Sequence, residues 1–332
     1  MNSSITIGNT GFDPESDVLK LWGSNISDLS PLSACTDLVR LDISDNPVRN
    51  LDILKMHKHL TWLNLSMCDL SDITPLQELS SLTYLDLSSN PLMRLAPLAA
   101  LKSLEHLDLS YTEATNISHI KDMQELTFLD ISSSPVFDLE PVKGLSRLKT
   151  LSAAFTQIEK IPDISGCVEL TKLDLSSTSI DDITPLESLA SLEVLDISSN
   201  RLKNSSSLAK LAPLVNLNIS SCGLSSIKDL LSHKTLKVLD LSENSISDIK
   251  GIEALSQLTD LDISGNDIKD ISALTALTSL RHLNISDNNI HDITKLTALT
   301  ALEDIYISGN DQGLIYQAYE LQKAMKRLNV HQ

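Results

Sequence analysis

The sequence predicts an α/β solenoid: a parallel sheet of very short strands, short helical turns behind it, and a helix closing its C-terminal end. Three observations predict it. Leucine recurs at positions 38, 60, 82, 104, 126, 148, 170, 192, 214, 236, 258, 280 and 302, each interval being 22 residues. The chain is 42% hydrophobic but only 3% aromatic, so its core must be built from aliphatic side chains on one repeated plan. With 10 Gly and 11 Pro in 332 residues and no long charged block, it is an ordered chain able to bury a sizeable core.

Each recurring leucine opens the pattern L-x-x-L-x-L-x-x-N-x-L, clear in Leu82 through Leu92 and again in Leu280 through Ile290. The alternation within it predicts one strand per repeat. Leu41 and Ile43 point inward, while Arg40, Asp42 and Ser44 point outward. A weaker copy around Leu19 and Leu21 brings the strands to fourteen, stacked over about 65 Å at the usual strand spacing. The ninth pattern position is a small polar residue, as in Asn46, Asn90, Thr112 and Asn200, or a cysteine in Cys68 and Cys222. Such groups bond the turn backbone, whose amides would otherwise be buried unpaired. Ser71-Asp72-Ile73-Thr74-Pro75-Leu76 and Asp181 through Leu186 place Ser, Thr or Asp ahead of Pro, a start signal for a short helical turn.

A stacked-repeat protein leaves open apolar faces at both ends. Residues 313–328 set Leu314, Ala318, Leu321, Met325 and Leu328 on one helical stripe, with Lys323, Lys326 and Arg327 toward the C-terminal end of the helix dipole. The domain plan is therefore a single unit, 1–332: an N-terminal cap at 1–17 anchored by Ile5, Ile7 and Phe12, repeats over 18–310, and a capping helix within 311–332.

The repeat resembles the 22-residue leucine-rich class of bacterial internalins and of the leucine-rich regulatory subunit of type-1 serine/threonine phosphatase. The likeness covers about residues 18 to 310 and rests on the Leu pattern and the S-D-I-x-P-L turn. It implies a horseshoe with a concave parallel sheet and convex helical turns, and a non-catalytic role in which the concave face holds a partner through aromatic and acidic side chains. It says little about which partner.

Charge narrows the partner. With 26 Lys plus Arg against 44 Asp plus Glu, the formal net charge is −18, which repels phosphate backbones and anionic membranes. A protein with a basic surface is expected, with neither nucleic acid nor membrane. The first ten residues lack a basic segment followed by an apolar one, and no run approaches 18 apolar residues, so the expectation is a cytoplasmic protein, or a secreted one if a signal sequence has been removed. Four cysteines on inward-facing columns read as structural thiols: Cys35 and Cys167 share a column with Leu79, Leu101 and Leu189. Seven N-x-S sequons begin at Asn2, Asn25, Asn64, Asn116, Asn204, Asn218 and Asn284. Asn64, Asn218 and Asn284 simply replace Asp in the strand pattern, so they read as products of the repeat.

No Gly-rich phosphate loop, no C-x-x-C pair and no metal-ligand spacing of histidines is present; the reading is no enzyme, no catalytic residue, no metal and no cofactor. The informative columns are those that leave the sheet. The third position runs Arg40, Trp62, Tyr84, His106, Phe128, Thr150, and the eighth adds Met67, Tyr111 and Phe155. Five of the eleven aromatic residues thus meet on one face of repeats two to six. Asp42, Asp86, Asp108, Asp130, Asp174, Asp196, Asp240 and Asp262 form an acidic ladder at the fifth position. The expected partner site is Trp62, Met67, Tyr84, His106, Tyr111, Phe128 and Phe155 with Asp86, Asp108 and Asp130, a surface that could also pair two copies of the chain. Two alternatives stay open: the rings pack on one another and shield the sheet, and the Asp ladder is structural. Later repeats, with Asp260, Asp262, Asp287 and Asp304, look like an electrostatic flank.

Overall fold

The computed structural model describes residues 5–332, which form two compact units divided after Leu170. In the first unit an antiparallel hairpin, β1 (Ile5–Ile7) and β2 (Thr10–Phe12), precedes the repeats. It seals the end with Ile7 and Phe12, both buried. Gly8 turns the hairpin at φ +55°, where a Cβ would stand 2.5 Å from the Ser24 carbonyl oxygen. The repeats then supply seven parallel strands of three residues each: β3 (Val18–Lys20), β4 (Arg40–Asp42), β5 (Trp62–Asn64), β6 (Tyr84–Asp86), β7 (His106–Asp108), β8 (Phe128–Asp130) and β9 (Thr150–Ser152). Each pairs with the next in a register of 22 residues, Leu41 with Leu63 and Leu63 with Leu85, so every leucine column stacks on itself.

The second unit repeats the plan with β10 (Lys172–Asp174), β11 (Val194–Asp196), β12 (Asn216–Asn218), β13 (Val238–Asp240), β14 (Asp260–Asp262), β15 (His282–Asn284) and β16 (Asp304–Tyr306). It closes with α1 (Leu314–Ala324), which buries Leu314, Ala318 and Leu321. The Gln317 side chain fastens this helix to the last repeat, accepting from the Ile293 amide at 2.9 Å and donating to the His291 carbonyl at 2.8 Å. The helix stops four residues short of the stripe read from the sequence. The chain turns at Leu328, which is buried, and β17 (Asn329–His331) adds a further parallel strand beside β16.

Behind the strands, each unit has six short 3-10 turns among the described residues, such as Thr74–Glu78 and Thr184–Ser188. They start as the sequence predicts. The Asp72 carboxylate accepts from the Thr74 amide at 2.8 Å and from its hydroxyl at 2.6 Å, and Pro75 sits where a free amide would have no helical partner.

The ninth-position ladder holds the turns. Asn90 is buried; its Nδ2 donates to the carbonyls of Leu65, Leu87 and Ser88, and its Oδ1 accepts from the amides of Cys68 and Leu70. One side chain therefore ties two repeats together. Cys68 stands in for Asn by donating its thiol to the Ile43 carbonyl at 3.2 Å. Burial pushes the Cys68, Cys167 and Cys222 thiols up to about 11, so these groups stay protonated and inert.

The eighth position carries a further constraint. This residue adopts a left-handed backbone in both units, from Gly23 at φ +59° through Asp45, Met67, Ser89, Tyr111, Ser133 and Phe155 to Gly309 at φ +67°, which turns the chain and in most repeats lets the amide bond the next repeat. The Met67 amide thereby reaches the Ser88 carbonyl at 3.0 Å and the Tyr111 amide reaches that of Ser132 at 2.9 Å. Small and polar residues suit such a site.

Candidate functional site

The sequence-derived site lies wholly in the first unit. Trp62, Tyr84, His106 and Phe128 occupy the first residue of β5, β6, β7 and β8, and strand register brings their rings face to face. Centroids are 4.7 Å apart for Trp62 and Tyr84, 4.2 Å for Tyr84 and His106, and 4.1 Å for His106 and Phe128, with planes within 15° of parallel. Arg40 extends the column, its guanidinium 4.8 Å from the Trp62 ring centre. These rings do pack on one another. Each is half-buried, and the inner rings have both faces covered, so solvent meets a comb of ring edges. A base or sugar has no inner ring face on which to stack.

Burial pushes the Tyr84 hydroxyl upward, with Asp86, Asp108 and Asp42 adding to the effect, and pushes the His106 imidazole downward. His106 therefore favours its neutral form, the form that stacks in an apolar column without a desolvation cost.

Met67, Tyr111 and Phe155 stand apart from that stack. They lie in the turns after β5, β7 and β9, at φ +56°, +54° and +55°, and are 59%, 65% and 66% exposed. They recur on alternate repeats, about 10 Å apart at two strand spacings, with Ser89 and Ser133 between them.

The acidic ladder has a structural duty that the sequence reading left open. Asp86 Oδ1 accepts from the Ser88 amide at 2.9 Å and its hydroxyl at 2.7 Å; Asp108 does the same with Ser110 and Asp130 with Ser132. Asn64 makes the same pair of bonds to Ser66, which explains why Asn alternates with Asp in this column and why its sequon is a by-product of the repeat. Burial raises the Asp108 carboxyl, and the flanking Asp86 and Asp130 raise it further.

In the second unit the electrostatic flank is partly tied up. Asp304 accepts from His331 Nε2 at 3.0 Å and Asn329 Nδ2 at 3.2 Å, and His282 Nδ1 lies 3.2 Å away. These hydrogen bonds, the His331 bond foremost, hold the Asp304 carboxyl below its ordinary range. Tyr306 stacks on His331 at 4.2 Å. Both features depend on β17, which falls 25 residues after β16 and so escapes a search at a period of 22. Arg40 carries a signal that was available, since it heads the aromatic column.

Residues 146–188, 234–276 and 278–312 match the family model described as leucine-rich repeats in two copies, and residues 81–101 and 191–211 match the single leucine-rich repeat. The chain is a leucine-rich-repeat protein. Its solenoid and terminal cap agree with those of an internalin from Listeria monocytogenes, 24% identical, with a TM-score of 0.74 over 97% of this chain and 89% of that one. They agree equally with a leucine-rich-repeat protein from Leptospira interrogans, 20% identical, with a TM-score of 0.75 over 95% of each chain. A further Listeria structure, a functional domain that includes a cysteine ladder, matches at 20% identity and a TM-score of 0.72, over 89% of this chain and 68% of that one. No curated protein matches the sequence. Among the described residues of this leucine-rich-repeat protein, no helix is long and apolar enough to cross a membrane, and no three His, Cys, Asp or Glu side chains converge as metal ligands.

Proposed function

We propose that this protein is a non-catalytic binding scaffold whose first unit holds a protein partner with a basic surface. One observation carries the reading. Met67, Tyr111 and Phe155 are large, apolar and exposed at backbone positions where other repeats place Ser, Gly, Asp or Glu. A left-handed backbone costs a residue with a Cβ about 1–2 kcal/mol relative to glycine, and an exposed ring adds a hydration cost. Nothing in the repeat geometry asks for three such side chains in register; a partner surface does. The comb of ring edges from Trp62 to Phe128 supplies a rigid neighbouring wall, and Asp86, Asp108 and Asp130 supply the charge that draws a basic partner.

The cytoplasm is the compartment proposed, because all four cysteines are free and buried. The likeness to an internalin over nearly the whole chain favours a second reading, a surface or secreted protein that recognises another protein. Fractionation of cells carrying the tagged native gene separates the two.

The binding site is tested by a Met67→Ser, Tyr111→Ser, Phe155→Ser variant, which gives each position the residue that Ser89 and Ser133 already hold. In affinity capture from native lysate, a protein retained by wild type and lost from the variant supports the reading. Equal retention moves the interface elsewhere.

A further inference from the structure

The exposed residues of the proposed site obey a second period. Met67, Tyr111 and Phe155 are 44 residues apart, and the repeats between them place Ser89 and Ser133 at the same position. The alternation runs through the whole turn: Met67-Cys68-Asp69, Tyr111-Thr112-Glu113 and Phe155-Thr156-Gln157 take turns with Asp45-Asn46-Pro47, Ser89-Asn90-Pro91 and Ser133-Ser134-Pro135. Two repeats, not one, are the unit of this edge. Its three large, exposed side chains therefore stand as rungs, with a small residue in each gap.

The interval between rungs decides which kind of chain segment can seat in both gaps. Two strand spacings make it about 9.6 Å. An α-helix returns a side chain to the same line every seven residues, about 10.5 Å, and a β-strand every two, about 6.8 Å, with its third residue facing away. A polyproline II helix has three residues per turn and advances about 9.3 Å. From Met67 to Phe155 the polyproline form drifts from the rungs by about 0.6 Å and the α-helix by about 1.8 Å. Residues three apart in a polyproline segment thus enter the gaps at Ser89 and Ser133, which are themselves one interval apart. Proline suits these positions. Its ring is a compact apolar group that packs against aromatic side chains, and it holds the extended form before binding, so little chain entropy is lost.

Charge specifies the rest of the segment. Asp45, Asp69 and Glu113 are exposed beside the rungs, and among the described residues none of the three forms an ion pair. Basic side chains next to the prolines meet them.

Resting on the reading that Met67, Tyr111 and Phe155 hold the partner, we propose that the partner presents a basic, proline-rich segment in the polyproline II form. Two prolines three residues apart fill the gaps at Ser89 and Ser133, and neighbouring Lys or Arg side chains face Asp69 and Glu113. The acidic net charge of the chain attracts any basic peptide, so the test has to separate a fitted register from general attraction.

The full chain is titrated by calorimetry with the blocked peptide Arg-Pro-Ala-Ala-Pro-Ala-Ala-Pro-Ala-Ala-Pro-Arg and with its isomer Arg-Pro-Ala-Pro-Ala-Ala-Ala-Ala-Pro-Ala-Pro-Arg, which has the same composition and charge but no two prolines three residues apart. The periodic peptide is expected to bind about fivefold tighter or more, since only it seats an apolar ring in both gaps. That preference should vanish in Tyr111→Ser, which removes the rung shared by both gaps, and in Ser89→Phe, which fills one of them. It should persist in Glu243→Ser, at the same turn position of the second unit; each variant is first shown to unfold cooperatively. Equal binding of the two peptides, binding of neither, or a preference that survives in Tyr111→Ser would overturn the proposal. If the Met67→Ser, Tyr111→Ser, Phe155→Ser variant still loses its captured protein while the two peptides bind alike, the partner site stands and the polyproline occupant is rejected.

Discussion

His57 is the one buried side chain of the described residues with a polar atom left without a partner. It is 2% exposed, its Nε2 has no hydrogen bond, and its column is filled by Cys35 in the preceding repeat and by Leu79 and Leu101 in the next two. His233 occupies the same column in the second unit and shows what satisfaction looks like: its Nε2 lies 2.7 Å from the Leu208 carbonyl. An unsatisfied buried polar atom costs about 1–3 kcal/mol, and the column already accommodates the shape of leucine. His57→Leu is therefore expected to stabilise the first unit by about 1–2 kcal/mol, a rise of about 2–8 °C for a cooperative unit of this size. The pH dependence gives an independent check. Burial holds the His57 imidazole below its ordinary value, so the fold prefers the neutral ring. The stability that this preference protects is fully present above the unfolded histidine value, about 6.5, and is lost as pH falls from there through the lower folded value. The advantage of the leucine variant should consequently widen from pH 7.5 to pH 5. Both tryptophans, Trp22 and Trp62, lie in the first unit, so urea unfolding followed by tryptophan fluorescence reports on that unit. A variant no more stable than wild type, or one whose advantage shrinks on acidification, would refute the reasoning; His233→Leu should show no such gain.

Asn90→Ala should cost about 3–5 kcal/mol, because five hydrogen bonds across two repeats go at once, and Asn90→Thr should cost less, since Thr112 already bonds the Leu109 carbonyl from the same position; urea midpoints rank the two. Asp108→Asn should raise the midpoint at pH 7, since Asn64 keeps the same serine bonds without the charge. The sign follows from a raised folded-state carboxyl: its contribution is fully favourable at acid pH and is lost as pH rises through the folded value, so the gain should vanish near pH 4. Tyr111→Gly should stabilise the first unit by roughly 0.5–1 kcal/mol, the relieved backbone strain less the freedom that glycine adds to the unfolded chain, while weakening partner capture, and a loss of stability instead would show that the ring is structural.

The strands were legible nearly to the residue because a solenoid writes its register into the chain: with a fixed interval of 22, placing β6 at Tyr84–Asp86 places β5 and β7 as well. The ninth-position ladder was legible for the same reason. What escaped was whatever broke the period or depended on side-chain orientation. The 25-residue step to β17 hid His331, and with it the true surroundings of Asp304 and Tyr306. The column placed Trp62 beside Tyr84, but the turning of their faces toward one another, which leaves only edges for a partner, follows from rotamers that spacing does not encode. The Asp-x-Ser pairs were present in eight of the strand patterns, as in Asp86 and Ser88, yet their hydrogen bonds show that half of the acid's capacity is spent inside the turn.

That accounting changes which residues can be ascribed to binding. A column repeated because the fold needs it, such as Asp with its serine or Asn with its carbonyls, carries little information about a partner. A residue that defies its column's structural demand carries more. Gly23, Gly265 and Gly309 mark the eighth position as one that favours a left-handed backbone, and Ser, Asp and Glu meet that demand at modest cost. Met67, Tyr111 and Phe155 meet it with large apolar side chains held in solvent, in the same unit and on alternate repeats. The repeat gives no folding reason for that choice, since Ser89 and Ser133 adopt the same left-handed turn and their amides bond the next repeat as those of Met67 and Tyr111 do. The burden of explanation therefore falls on a surface outside the chain, and it falls on these three residues before it falls on the aromatic stack, whose rings already satisfy one another.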